Sequence, residues 1–209
     1  TLKEIYKEIF FPVHGIDKPE KIKYFIKNAL DSWNIKYVLL VGGAKQIPVR
    51  YIHNLAKDPE LDFLERRIIS DLYYADIYDS KGTFSNWDTN GNGLYGEWTG
   101  GTAEDKNIDL RPDVSIGRLP CRNRFEVKIM VNTIINYETE TYGKQWFKNI
   151  VVAGGDTYPE NDGIYEGEID AEKALNNMKK FNHIKLWAST NDLKVRGSFK
   201  IIKEVNKGC

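Results

Sequence analysis

Asp88, Asn90 and Asn92 place oxygen-bearing side chains at alternate positions, Gly93 follows, and Glu97 closes the run Asp-Thr-Asn-Gly-Asn-Gly-Leu-Tyr-Gly-Glu. Ca²⁺ is a hard cation that takes several oxygens in a loose shell, and a loop wrapping it needs a glycine where it turns sharply. The pattern is the first half of a calcium loop of the D-x-[DN]-x-[DN]-G type. Leu94 can add its backbone carbonyl. An EF-hand loop would carry a bidentate Glu at its twelfth position, but Thr99 stands there and the nearby acid is Glu97. Residues 83–87, Thr-Phe-Ser-Asn-Trp, do not read as a helix. The expectation is a Ca²⁺ loop without EF-hand helices, held by Asp88, Asn90, Asn92, Leu94 and Glu97 and completed by Asp76, Asp79, Asp105 or Asp109. With one charged ligand among the three alternating ones, the affinity should sit near ~10⁻⁴–10⁻³ M. The competing reading is a plain turn, because Asn-Gly pairs also close hairpins.

Other chemistry-bearing groups are sparse. Cys121 and Cys209 are far apart and show neither a disulfide framework nor metal-ligand spacing. His14-Gly15 has no catalytic partner beside it and reads as a loop. Gly42-Gly43 and Gly154-Gly155 each follow an apolar run, but neither belongs to a G-x-G-x-x-G or Lys-Ser/Thr phosphate signature. With 30 basic and 30 acidic side chains the net charge is zero, which leaves no electrostatic footprint for nucleic acid. No apolar run approaches a membrane span. The sequence opens on Thr1 and stops at Cys209 just after a helical pattern, so both ends read as cut and the lack of a signal peptide carries no weight.

The elements that must position these groups alternate. Residues 1–11 are helix-like. Asp17 and Glu20 form a capping box with Pro19 in the first turn, and Ile22, Phe25, Ile26, Ala29, Leu30 and Trp33 recur at helical spacing until Asn34. Residues 36–41 are a continuous apolar run, as expected for a strand buried on both faces in a parallel sheet. Residues 54–67 read as a surface excursion. About forty residues, 70–109, have little regular pattern, and a loop of that length calls for a metal or a binding role. Residues 113–118 read as a second strand, and Asn123 and Glu126 as a further capping box opening a helix striped by Val127, Met130, Val131, Ile134 and Ile135. A third strand at 149–153, an acidic loop at 159–168, a helix over about 170–181, a fourth strand at 183–187 and a helix from Ser198 complete the chain. Alternating strands and helices predict an α/β fold with parallel strands. The polar link at 142–148 marks the limit between a first unit, 1–143, and a second, 144–209.

Four blocks in order resemble the gingipain-type cysteine peptidases: Tyr37-Val-Leu-Leu-Val-Gly-Gly-Ala-Lys-Gln-Ile-Pro48, Ser70-Asp-Leu-Tyr-Tyr-Ala-Asp76, Asp113-Val-Ser-Ile-Gly-Arg-Leu-Pro-Cys121 and Ile150-Val-Val-Ala-Gly-Gly-Asp156. The likeness is greatest to the archaeal and bacterial members with an Asp/Asn-Gly loop between the second and third blocks. The resemblance implies a three-layer α/β sandwich in two subdomains, the second caspase-like, both incomplete here. It also implies a secreted, extracellular or cell-surface endopeptidase with a His/Cys dyad, peptide or protein substrates, and calcium as a frequent ligand. The family's catalytic His lies in a Gly-His-Gly block on the strand after the helix that begins near Ser198, with the Cys further on, so the dyad is expected beyond Cys209. Neither Cys121 nor Cys209 takes the nucleophile's place. Asp156 falls where the family can set an acid near the catalytic His. Glu168 falls near the acid that binds a basic substrate side chain, with Glu166 as a competing choice. The other class kept open is a non-catalytic, calcium-stabilised α/β module for adhesion or recognition. A nucleotide-binding domain is disfavoured by the missing phosphate signature.

Overall fold

The computed structural model describes residues 1–55, 67–99, 101–158, 162–194 and 197–208. Most of the excursion read at 54–67, together with Cys209, lies outside the described residues. The chain mixes helices with parallel strands, an α/β fold, and divides into two compact units, Thr1–Met130 and Val131–Cys209. Composition marks the polar link at 142–148, whereas this division falls within the long helix that precedes it.

The first unit opens with α1 (Leu2–Tyr6) and α2 (Lys18–Trp33). Asp17 caps α2 by accepting the Glu20 N–H at 2.9 Å. Glu20 returns its carboxylate to the N–H of Ile16 at 2.6 Å, one residue ahead of the cap. Asn34 ends the helix in the left-handed region at φ 52°, a conformation Asn tolerates better than most residues. Ile22, Ile26 and Ala29 form the buried stripe. Then come β1 (Tyr37–Val41), β2 (Arg50–His53), β3 (Arg67–Ser70), a 3₁₀ turn (Asp71–Tyr74), β4 (Ser115–Leu119) and α3 (Arg124–Glu140). β1 and β4 pair in parallel, with Tyr37 opposite Ser115, while β2 and β3 pair antiparallel.

β1 is buried on one face only, a correction to the two-sided burial expected of it. Leu40 packs into the core, whereas Tyr37 and Leu39 are 81% and 61% exposed. Period-two alternation sends neighbouring side chains to opposite faces, and only the side facing Ile22 and Ile26 of α2 is covered by described residues. The stripe expected to bury α3 is covered at its start only: Val127 and Met130 are half-buried, whereas Val131, Ile134 and Ile135 are exposed.

The first core is aromatic. Tyr73 meets Tyr74, Trp87 and Tyr95 edge-on at centroid distances of 5.4, 5.6 and 6.4 Å, and each such pair contributes about 0.5–1.5 kcal/mol beyond area burial. Charges thread it. Arg50 grips Asp17 with two hydrogen bonds of 2.7 and 2.9 Å and stacks on Tyr95 at 3.6 Å. Arg118 of β4 grips Asp71 at 2.6 and 2.8 Å and donates to Gly42 O at 2.8 Å, tying the turn after β1 to the 3₁₀ turn.

In the second unit β5 (Asn149–Gly154) pairs in parallel with β6 (Asn182–Trp187), and α4 (Glu166–Leu175) and α5 (Gly197–Val205) pack against them. α4 begins at Glu166, not near Asp170. The acids that read as loop lie in its first turn, where a helix dipole favours them.

Candidate functional site

Each unit carries one candidate site. In the first, the glycine-rich run is an ordered loop. Trp87 anchors its start: the residue is 2% exposed, and its indole N–H donates to Asp76 Oδ2 at 2.6 Å. Asp88 Oδ1 accepts the N–H of Asn92 and Oδ2 that of Gly93, both at 3.0 Å. Asn92 Oδ1 accepts the N–H of Leu94 at 2.8 Å. The amides of Asn90 and Asn92 both donate to Glu97 Oε2, at 3.3 and 2.8 Å. The loop can curl this tightly because Gly91 and Gly93 take φ of 74° and 81°, a region that costs glycine little. Asp88 and Glu97 are 9% and 7% exposed.

Of the four outlying acids expected to complete the loop, the structure brings in Asp105. It accepts the Thr89 N–H at 2.7 Å and the Glu97 N–H at 2.9 Å, bracing both ends of the loop. Asp76 is buried against Trp87, Asp79 closes a local turn with Thr83, and Asp109 accepts from Arg111. His53 of β2, which the sequence reading passed over, receives the Tyr95 N–H on Nδ1 at 3.2 Å. Its backbone pairs with Tyr95 and Trp98. No local pattern announces that long-range clamp. A cavity of about 360 Å³ opens beside the loop, with Trp87, Ile52, Glu97 and Asp105 on its wall. Among the described residues no cluster of three or more His, Cys, Asp or Glu is arranged around a common point, so any cation here must rely on the two asparagines.

Beneath the loop, Lys23 of α2 is fully buried. Its ammonium donates to Ser85 O and lies 4.2 Å from the centroid of Tyr73. Burial pulls its pKa down to about 7, against the opposing pull of Asp76. Burial likewise pushes Asp76 up to about 6, partly offset by the Trp87 hydrogen bond. Asp76 Oδ1 and Ser85 Oγ have no hydrogen-bond partner among the described residues.

In the second unit the site residues gather at the carboxyl ends of β5 and β6, where open α/β sheets bind ligands. β5 ends at Gly154, and Asp156 follows two positions later, exposed. Glu168 sits in the first turn of α4 and is pinned to the loop after β6: Ser189 donates its N–H at 2.8 Å and its hydroxyl at 2.6 Å. Glu166 accepts the Thr157 N–H at 3.2 Å. Helix and strand end approach so closely that the Gly167 N–H reaches Gly155 O at 3.0 Å. Gly154-Gly155, which carries no phosphate signature in sequence, admits the helix here.

No Cys/His pair accompanies these acids among the described residues. Cys121 is buried in the first unit with its Sγ 3.0 Å from Met130 Sδ. His183 of β6 meets the Met178 carbonyl, and His14 lies edge-on to Tyr24. The family model described as peptidase family C25 matches residues 1–209. No curated protein and no solved structure matches the chain.

Proposed function

The chain belongs to peptidase family C25, the gingipain family, and on that premise we propose that it is part of a secreted cysteine endopeptidase with a structural calcium site. The family match along the whole chain carries the peptidase reading, and family membership points to protein substrates. No helix among the described residues is long and apolar enough to cross a membrane. The finer architecture proposed is the three-layer sandwich with a caspase-like second subdomain, working outside the cell or at its surface.

In this reading a His/Cys dyad contributed by residues other than those described here cleaves the peptide bond. The imidazole draws the proton from the thiol, and the thiolate attacks the carbonyl carbon. The imidazolium gives the proton to the leaving amine as the C–N bond breaks, and water hydrolyses the resulting thioester to free the thiol and the acid. Asp156, exposed at the end of β5, orients the imidazole or stabilises its charged form. Glu168 receives a basic substrate side chain, for which it must release at least one of its Ser189 hydrogen bonds. Glu166, which accepts the Thr157 amide, is the alternative acid. Two carboxylates at one sheet edge support this assignment.

The loop of the first unit suits a hard cation. Asn90 and Asn92 already meet Glu97 Oε2, through N–H groups that a cation would replace with amide oxygens, while Asp88 accepts the loop amides of Asn92 and Gly93. Asp88, Asn90, Asn92, the Leu94 carbonyl and Glu97 would hold Ca²⁺, braced by Asp105. When bound, the ion supplies positive charge that keeps these oxygens together, and it takes no part in catalysis.

The deciding experiment expresses this chain beside the longer product of its gene and assays hydrolysis of peptides with and without basic residues. The longer product should carry Gly-His-Gly followed by a Cys and should cleave, with activity lost on replacing that Cys by Ala. The 209-residue chain should be inactive. A longer product lacking the dyad would favour the recognition module. Turnover by this chain that is lost on Cys121→Ala would overturn the placement of the dyad.

A further inference from the structure

At the amino ends of β5 and β6, away from the edge that carries Asp156, the second unit holds a basin of about 890 Å³. Its floor is the amide pair in which Asn182 donates to Asn149 at 3.1 Å. Tyr142, Phe147 and Phe181 face it as aromatic walls, and Lys144, Lys148 and Lys180 stand around it. Among the described residues no carboxylate side chain lines it. Lys173, Lys185, Lys200 and Lys207 of the same unit each hold an acid, whereas the three basin lysines have no ion pair among the described residues.

We propose that this basin docks an acidic peptide segment whose carboxylates flank an aromatic or aliphatic side chain. Three unmatched ammonium groups around one concavity attract negative charge and disfavour basic partners, by the complementarity that sets partner choice at interfaces. The apolar half of the requirement comes from the rings. Tyr142, Phe181 and Phe147 are 89%, 41% and 37% exposed, and Phe147 is held in place by Tyr137 and Trp146 at centroid distances of 6.3 Å each. A preformed ring wall binds an apolar side chain without the cost of ordering it. A phosphate or sulfate group is the poorer match: the lining has no arginine, the residue whose planar fork reads such groups bidentately, and lysine offers only a point charge.

The test uses the whole chain and fluorescence anisotropy with a fluorescein-labelled peptide of alternating Glu and Phe. Its controls are the Gln/Phe peptide, the Glu/Ala peptide and a heparin-derived sulfated oligosaccharide. The Glu/Phe peptide should bind and should weaken as salt rises. Each lysine is worth roughly a twofold to fivefold change, so the triple variant Lys144→Glu, Lys148→Glu and Lys180→Glu should lose tenfold or more. Tyr142→Ala, at an exposed position that leaves the fold intact, should weaken the peptide several-fold and leave the salt dependence unchanged. Unchanged circular dichroism melts would show that the variants fold. Equal binding of the Gln/Phe peptide, or full affinity in the triple variant, would overturn the proposal. So would the oligosaccharide binding as tightly as the Glu/Phe peptide with no response to Tyr142→Ala.

Discussion

Gly154→Ala is the substitution whose cost the structure defines most closely. A Cβ built there would lie 2.9 Å from Gly167 O and 3.0 Å from the N and Cα of Glu168, all of them backbone atoms of α4. None can swing aside as a side-chain tip would, so the helix must move off β5 by about half an ångström, at a cost of about 1–3 kcal/mol. For a unit of this size each kcal/mol shifts the melting temperature by about 4–8 °C, so the second unit should melt at least about 4 °C lower. The shift carries the first turn of α4 with it, so the Ser189 amide, hydrogen-bonded to Glu168, should change its NMR position. Gly197→Ala is the matched control. Its Cβ meets Leu193 Cβ at 3.4 Å and other described atoms at 3.7 Å, and alanine narrows the unfolded ensemble relative to glycine. The control should therefore melt at or slightly above the wild-type temperature. A Gly154→Ala protein that melts with wild type and keeps the Ser189 amide in place would refute the close approach on which the site geometry depends.

Three further outcomes are expected. Calcium at ten to one hundred times its dissociation constant should stabilise the first unit by about 1.4–2.7 kcal/mol, with most of the gain lost in Asp88→Ala; identical melts in calcium and in chelator would reduce the loop to an ordinary turn. Lys23, held near pKa 7 against an ordinary 10.5, leaves the folded state with fewer bound protons than the unfolded state between those values. Stability should therefore rise with pH across that window. Asp76, raised from 3.8 to about 6, acts in the opposite sense: the stability of its neutral form is complete below the lower value and is lost as pH climbs through the upper one. Urea midpoints should thus be lowest near pH 6–7, and Lys23→Met should flatten the alkaline rise; a rise that persists in that variant assigns it to another group. Trp87→Phe removes the hydrogen bond to Asp76, whose other oxygen is already unpartnered among the described residues. It should cost about 1.5–3 kcal/mol by denaturant unfolding, and an unchanged midpoint would show that the bond contributes nothing.

What the sequence discloses here is what neighbouring residues decide among themselves. Asp17, Pro19 and Asn34 bound α2 because caps act within one turn. The register of Asp88, Asn90 and Asn92 is a local fact; the two asparagines turn toward Glu97, and Asp88 turns back onto the loop's own amides. The choice of Asp105 over Asp76, Asp79 and Asp109 was hidden, because it depends on the path of the chain between them. So was the clamp from His53, and so was the antiparallel pairing of β2 with β3, whose Arg-Tyr-Ile-His and Arg-Ile-Ile-Ser segments lack the alternation that marks a strand. β1 shows the reverse error. An unbroken apolar run states that both faces could be buried, but what covers each face is settled by tertiary partners, and Tyr37 and Leu39 remain exposed.

The seat of Trp87 has an optical consequence. Its indole is 2% exposed, whereas Trp33 and Trp98 of the same unit are 53% and 45% exposed. A water-borne collisional quencher such as iodide or acrylamide will darken the latter two first and leave Trp87 emitting. Trp146 and Trp187 of the second unit are half-buried and also emit. In a variant with both replaced by phenylalanine, the residual emission reports, without any attached dye, whether the segment that Trp87 anchors is closed, and its loss on titration with denaturant marks the moment that segment opens.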